Sequence, residues 1–135
     1  MHTTEIIVRG YYIDVFGHVN NARYLEFLEE ARWALFDEKA NFADLAREDF
    51  VFIVVNININ ISYKLPAYLH DVLCVKTGLD QLGHRSAILR QIVKNKATGA
   101  VVADAKVTFV FVDIKAQKTV PLEGRLKARI MQALE

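Results

Sequence analysis

The arrangement of apolar and polar positions divides the chain into a short strand, a long helix and a run of further strands. Residues 4–12 mix β-branched and aromatic side chains and stop at Asp14, which predicts a first strand running into a loop that contains Gly17. From Asn21 to about Lys39 there is neither Gly nor Pro, and Tyr24, Leu28, Ala31 and Leu35 recur at helical spacing. Leu25, Phe27 and Phe36 widen that apolar face, so a long and largely buried helix is expected. Asn20 or Asn21 would cap it, because an asparagine side chain accepts a hydrogen bond from a first-turn amide. A short second helical piece is expected over residues 42–47. Beyond it the period changes to two, with strands predicted over 51–63, 71–79, 86–93 and 101–112. Pro66, Gly83 and the Lys96-Ala97-Thr98-Gly99 turn separate them. In the last of these strands Val101, Ala103, Ala105, Val107, Phe109 and Phe111 alternate with Asp104, Lys106 and Thr108, so one face packs and the other meets water or a partner. A terminal helix over 122–134 follows Pro121, with Gly124 blurring its start.

Short connections between these strands favour antiparallel pairing, since parallel neighbours need long crossovers. A sheet with an apolar face must be covered, and the long helix is the available cover. The expected fold class is therefore α+β: an antiparallel sheet of about five strands wrapped around one long central helix. With 135 residues and no linker, the chain is expected to form a single domain over 1–135.

Composition narrows the function. The chain is 53% hydrophobic and carries 17 Lys and Arg against 16 Asp and Glu, a formal charge of +1. No broad basic surface for nucleic acid or anionic lipid follows from that balance, and any phosphate recognition must be local. The single cysteine, Cys74, lies in a Val-Leu-Cys-Val run and is expected to pack as a small hydrophobe. His2, His18, His70 and His84 are scattered, so no metal site is expected. Neither a phosphate-binding loop nor a dinucleotide fingerprint occurs among the glycines, so no cofactor is expected. No export signal or membrane span is visible, and a cytoplasmic location with no membrane insertion is the resulting expectation.

The chemistry is concentrated in Asp14-Val15-Phe16-Gly17-His18-Val19-Asn20-Asn21-Ala22-Arg23-Tyr24. This segment resembles the catalytic segment of the hydroxybenzoyl-CoA thioesterase-like branch of the hot-dog superfamily. Arg9-Gly10-Tyr11, the run from Tyr24 to Trp33 and Val55-Asn56-Ile57-Asn58-Ile59-Asn60 look closer still to bacterial long-chain acyl-CoA thioesterases of fatty-acid β-oxidation. Val101-Val102-Ala103-Asp104-Ala105 and Gln117-Lys118 continue the similarity, which spans most of the chain.

The resemblance implies a hot-dog fold and hydrolysis of medium-to-long acyl-CoA thioesters to fatty acid and CoA. Asp14 would act as general base on water or as a nucleophile forming a mixed anhydride. The backbone N–H of Asn21, at the start of the helix, would receive the oxyanion, and Gly17 would let the chain turn closely against the substrate. His18 would orient the carbonyl or a water, or serve as a structural histidine. His84, Arg85 and Ser86 fall where related thioesterases contact the CoA nucleotide, with Arg85 the leading phosphate contact and Lys64 a second candidate. The only nucleotide contacted would be that of substrate CoA. A homodimer with sites between subunits is expected, and a homotetramer is compatible with the same surfaces.

Two other readings use the same fold. A hydratase or dehydratase of acyl thioesters needs a His paired with Asp or Glu, and a non-catalytic acyl-CoA-binding protein needs the acyl tunnel without Asp14. The stripe Asn56, Asn58 and Asn60 is expected on one strand face, toward a partner subunit, ordered water or the site mouth, because buried amides require partners. Glu26, Glu29, Glu30, Arg23 and Arg32 are assigned to spaced ion pairs on the polar side of the helix.

Overall fold

A computed structural model of the chain describes residues 1–40 and 52–134. The helical piece expected over 42–47 lies outside the described residues. The sheet contains β1 (His2–Ile7), β2 (Phe52–Tyr63), β3 (Val72–Leu82), β4 (Ser86–Asn95), β5 (Val101–Asp113) and the two-residue β6 (Lys118–Thr119). Its order is β1-β3-β4-β5-β2, with β6 beside β5, and every pair is antiparallel. One helix, α1 (Arg23–Leu35), crosses the inner face and passes into a π-helical turn over Phe36–Ala40; a second, α2 (Gly124–Leu134), closes the chain. No helix among the described residues is long and apolar enough to cross a membrane.

The helical periodicity is realised on one face of α1, except that Leu25, expected to widen that face, is 42% exposed. Tyr24, Phe27, Leu28, Ala31 and Leu35 are buried, and they pack toward Leu73, Val75, Val93, Ala103 and Ala105 on the inner face of the sheet. A second core region joins Leu35 to Leu89, Val107, Phe109 and Phe111, with Leu126, Ile130 and Leu134 of α2 as its cover. Each such aliphatic or aromatic side chain contributes roughly 1.5–3 kcal/mol when removed from water, which fixes α1 against the sheet despite its exposed outer flank.

Four local expectations are corrected. The first strand ends at Ile7, and residues Gly10–Tyr12 form a 3-10 turn in which the Tyr12 N–H donates to Arg9 O at 3.0 Å. The aromatic residues there therefore belong to the entry of the site loop and not to the sheet. The asparagine stripe does not occupy one face. In the β2 register Asn56 pairs with Phe109 but Asn58 pairs with Thr108, because Ile57 is inserted as a bulge. An extra residue flips the side-chain alternation, so Asn56 lies on the helix side while Asn58 and Asn60 lie on the outer side beside Thr108 and Lys106. Cys74 is only half-buried, because it pairs with Glu5 and Lys94 on the outer face while Leu73 and Val75 turn inward.

Arg32 is also displaced from its expected role. Arg23 does bind Glu26 at 2.8 Å across three residues of the helix surface, but Arg32 is 6% exposed and points into the core. Its Nη1 donates to Gln91 Oε1 at 3.0 Å, and Gln91 Nε2 donates to Leu28 O and to Thr77 Oγ1, each at 3.0 Å. Burial pushes the guanidinium below its usual value, opposed by Glu29. This polar chain satisfies the glutamine amide and ties α1 to β3 and β4.

Candidate active site

The site loop is anchored at both ends before it begins to turn. Val8 continues the pairing beyond β1, donating to Asp71 O at 2.9 Å and accepting from His70 N–H at 3.0 Å. After the Gly10–Tyr12 turn, Ile13 and Val19 form an isolated antiparallel bridge that closes the loop between them. Within it the Asp14 N–H donates to His18 O at 3.1 Å and the Gly17 N–H donates to Asp14 O at 3.0 Å. Gly17 adopts φ +85°, a left-handed conformation that glycine enters without the clash a side chain would bring. The Val19 N–H donates to Ala67 O at 2.9 Å and the Asn20 N–H to Tyr12 O at 2.9 Å, fixing the return of the chain into α1.

Asp14 is half-buried at the base of this loop, while Val15 and Phe16 at its tip are 92% and 79% exposed. One carboxylate oxygen accepts the Phe16 N–H at 2.9 Å, the geometry of an Asx turn. Among the described residues the other meets only the Asn20 side-chain amide, at 3.5 Å, a weak contact that leaves it lone pairs for water or substrate. The expected asparagine cap is not made: Ala22 takes the N-cap position of α1 without a side-chain cap, and Asn20 instead forms an Asx turn leading into it, its Oδ1 accepting the Ala22 N–H at 2.9 Å and its backbone O the Arg23 N–H at 3.0 Å. The carbonyl of Asn21 accepts the Tyr63 hydroxyl at 3.0 Å, and the Asn21 N–H has no acceptor among the described residues. A carboxylate and a free amide donor thus sit together at the positive end of α1.

His18 joins the same loop without joining the carboxylate. Its ring lies between Phe16, stacked at 6.3 Å, and Tyr68, edge-on at 6.4 Å, with Nδ1 3.5 Å from Val19 O. Among the described residues no hydrogen bond or ion pair links the imidazole to Asp14. Beneath the helix start, Tyr24 packs against Phe27 at 5.7 Å and Tyr63 at 5.4 Å. Burial first, then the neighbouring Tyr63 and Asp71, push its hydroxyl up to about 12 against a lowering backbone bond at Ala67. Tyr24 consequently stays neutral at physiological pH and supports the site by packing.

The residues expected at the nucleotide lie elsewhere in the chain. His84 and Arg85 form the tip of the β3–β4 hairpin, closed by a bond from Gly83 N–H to Ser86 O at 2.8 Å. Arg85 Nη1 donates to Thr119 O at 2.8 Å and lies 3.3 Å from Thr119 Oγ1, so the side chain is oriented by β6 with donors to spare. The Asp14 loop is attached at the Val72 end of β3, whereas this hairpin follows Leu82 at the other end. Ten steps of about 3.3 Å separate those ends by roughly 33 Å, so the structure brings together Asp14, Gly17, His18 and Asn21 but not His84, Arg85 and Ser86. Lys64, which follows Tyr63, is at the Asp14 end.

Sequence reasoning passed over two residues at the site. Along the chain Asn20 reads only as a helix cap, and the Tyr63 contact with the helix start spans 42 positions, so no local pattern carries it. An exposed apolar rim surrounds this end of the molecule as well: Tyr11, Val15, Phe16, Tyr63, Tyr68 and Leu69 are 45–92% exposed.

A curled antiparallel sheet around a helix, with an acid loop leading into the helix start, defines a hot-dog thioesterase. Residues 8–130 match the model of the thioesterase-like superfamily, and the chain belongs to that family. It is 48% identical over 132 residues, 98% of each chain, to the long-chain acyl-CoA thioesterase FadM of Escherichia coli K12. Among solved structures, YbaW from Escherichia coli, described as a probable thioesterase, superposes with a TM-score of 0.92 at 45% identity over 100% of both chains. The 1,4-dihydroxy-2-naphthoyl-CoA thioesterase Slr0204 from Synechocystis shares the fold, with a TM-score of 0.83 at 18% identity over 96% of this chain and 95% of its own.

Proposed function

We propose that this chain, acting as one domain in the cytoplasm, hydrolyses medium-to-long acyl-CoA thioesters to free fatty acid and CoA. The observation that carries the reading is the Asp14 carboxylate at the start of α1, one oxygen of which is only weakly engaged by the Asn20 side chain, with the next residue's amide, the Asn21 N–H, lacking an acceptor among the described residues. The 48% identity over nearly the full length to a protein named as a long-chain acyl-CoA thioesterase supports this substrate class.

In the general-base route Asp14 takes a proton from water as the water oxygen bonds to the thioester carbon. The Asn21 N–H and the α1 dipole receive the charge that develops on the carbonyl oxygen. Collapse of that intermediate breaks the C–S bond, the proton passes to the CoA sulfur, and the fatty acid remains. In the nucleophilic route the same carboxylate bonds to the thioester carbon, CoA thiolate leaves, and water hydrolyses the resulting anhydride. Both routes call on the same two groups. Among the described residues His18 is not bonded to Asp14, so the site loop does not supply the paired His and carboxylate that a hydratase needs.

A second copy of the chain completes the proposed site. Strand β2 is an edge of the sheet, and its Ile57 and Tyr63 are 57% and 45% exposed. An unpaired edge of this length is a template for pairing. Two-fold antiparallel pairing of β2 with its copy would set the His84-Arg85-Ser86 hairpin of one protomer at the Asp14 end of the other. About three strand spacings, on the order of 15 Å, would separate them laterally, a reach that an extended pantetheine arm covers. Arg85 would then bind CoA phosphate across the dimer, with His84 and Ser86 beside it.

The test is free-thiol release over a series of acyl-CoA chain lengths. Turnover on long acyl-CoA is expected, and inactivity on every thioester with tight binding retained would transfer the protein to the non-catalytic acyl-CoA-binding class. In the same assay Arg85→Ala is expected to raise KM for CoA esters about tenfold while leaving truncated pantetheine esters unchanged, the signature of a lost charge-assisted phosphate contact. Equal effects on both substrates would remove Arg85 from the nucleotide site.

A further inference from the structure

We infer that Tyr63, on the edge strand β2, is a positioning residue for this chemistry: together with Asn20 it clamps the peptide beside the oxyanion donor. The inference rests on the thioesterase reading of Asp14 and Asn21 given above. A peptide unit is planar, so fixing its oxygen and its N–H fixes the orientation of the whole unit. The Asn21–Ala22 peptide is held at both points, its oxygen by the Tyr63 hydroxyl at 3.0 Å and its N–H by Asn20 Oδ1 at 2.9 Å. The preceding peptide, which carries the Asn21 N–H, is held at its oxygen by the Arg23 N–H at 3.0 Å. Two consecutive peptide planes are therefore constrained around one amide that has no acceptor of its own. Such an amide can meet a developing oxyanion without reorganising, the condition under which a donor stabilises a transition state.

Tyr63 has a reason to be tyrosine that packing alone does not supply. Its ring already rests edge-on against Tyr24 at 5.4 Å, a contact that phenylalanine would reproduce. Register pairs Tyr63 with the inward-facing Ala103, so the side chain leaves β2 on the helix side. The hydroxyl then spans the gap between the sheet edge and the first turn of α1. Asn20 supplies the other half of the clamp and is itself held by the Tyr12 carbonyl through its N–H at 2.9 Å.

The test compares Tyr63→Phe with the wild type and with Asp14→Asn in steady-state hydrolysis of a long acyl-CoA. Alongside it, backbone 15N–1H spectra and amide exchange are recorded on the same proteins. Tyr63→Phe is expected to lower kcat roughly fivefold to twentyfold, part of the hundredfold or more that loss of an oxyanion donor costs. KM should stay within about twofold, and the pH profile should keep its shape because the hydroxyl does not touch Asp14. Amide perturbations should centre on Asn21 and Ala22, with faster exchange at Ala22.

Unchanged kcat in Tyr63→Phe, or a fall in kcat matched by a rise in KM and a lowered unfolding midpoint, would overturn the inference by leaving Tyr63 a packing residue. Wild-type turnover in Asp14→Asn would instead overturn the assignment of the chemical step to Asp14, on which the inference rests. The amide measurement needs no turnover and keeps the two failures apart: if the Ala22 amide is unperturbed in Tyr63→Phe, the clamp does not exist whatever Asp14 does.

Discussion

Asp14→Asn is expected to lower turnover on acyl-CoA by at least ~100-fold with KM little changed, because it removes the group that takes the proton or attacks the carbonyl. Asparagine is the informative replacement. It retains an oxygen to accept the Phe16 N–H now held at 2.9 Å, so the loop that presents the side chain is preserved. Neutral asparagine lacks basicity and nucleophilicity at the same position. Asp14→Ala should be equally inactive and additionally less stable by about 1 kcal/mol, since the Asx turn is lost with the carboxylate. Thiol release together with a denaturation midpoint separates these effects. Activity in Asp14→Asn within tenfold of wild type would exclude the carboxylate from the chemical step.

The largest stability effect is expected far from that loop, at Gln91. Its side-chain amide accepts from Arg32 Nη1 and donates to Leu28 O and Thr77 Oγ1, and the residue is fully buried. Gln91→Leu would remove the acceptor that the buried guanidinium has among the described residues and take the side-chain donor from Thr77 Oγ1 and from the second lone pair of Leu28 O. Stranding buried polar partners costs about 1–3 kcal/mol per neutral group and more for a charged one, so a loss of about 3–4 kcal/mol is expected from urea denaturation. Replacing both ends of the network is a different experiment. Arg32→Met with Gln91→Leu removes the cation along with its acceptor, and most of the lost stability should return, because apolar groups of similar volume substitute well for a buried polar pair. If the double variant is as unstable as Gln91→Leu alone, the network is not the origin of the loss.

The same network marks a limit of reading along the chain. Arg32 stands among Glu26, Glu29 and Glu30, a setting that reads as the solvated side of a helix, and Arg23 with Glu26 does behave that way. What turns Arg32 inward is Gln91, 59 residues later, on a strand whose other inward positions are Ala87, Leu89 and Val93. The asparagine stripe fails for a related reason. Alternation is a local rule, and a single inserted residue at Ile57, visible only in the pairing with β5, sends Asn56 to the opposite face from Asn58 and Asn60. Residues 4–12 predict a strand longer than the observed one because β-branched and aromatic residues favour both strands and the apolar entry to a tight turn.

The site divides along the same line. Asp14, Gly17, His18 and Asn21 fall within eight consecutive positions, so their nearness is dictated by the chain itself, and Gly17 and Asn20 encode the turns that bring the loop into the helix. Tyr63 reaches Asn21 only because β2 pairs with β5 and lies along the edge beside α1. The separation of Arg85 from Asp14 likewise depends on the direction of β3, which carries the hairpin to the far end of the sheet.

By itself the sequence determined the elements, their antiparallel character, the buried face of the central helix and the acid loop at its start, because those features follow from side-chain periodicity and from contacts within a few residues. Only the tertiary structure decided which partners meet across the sheet: the bulge in β2, the buried Arg32–Gln91 chain, and the hydroxyl of Tyr63 at the Asn21 carbonyl. Those contacts depend on strand register and direction, which place residues many positions apart at one point in space.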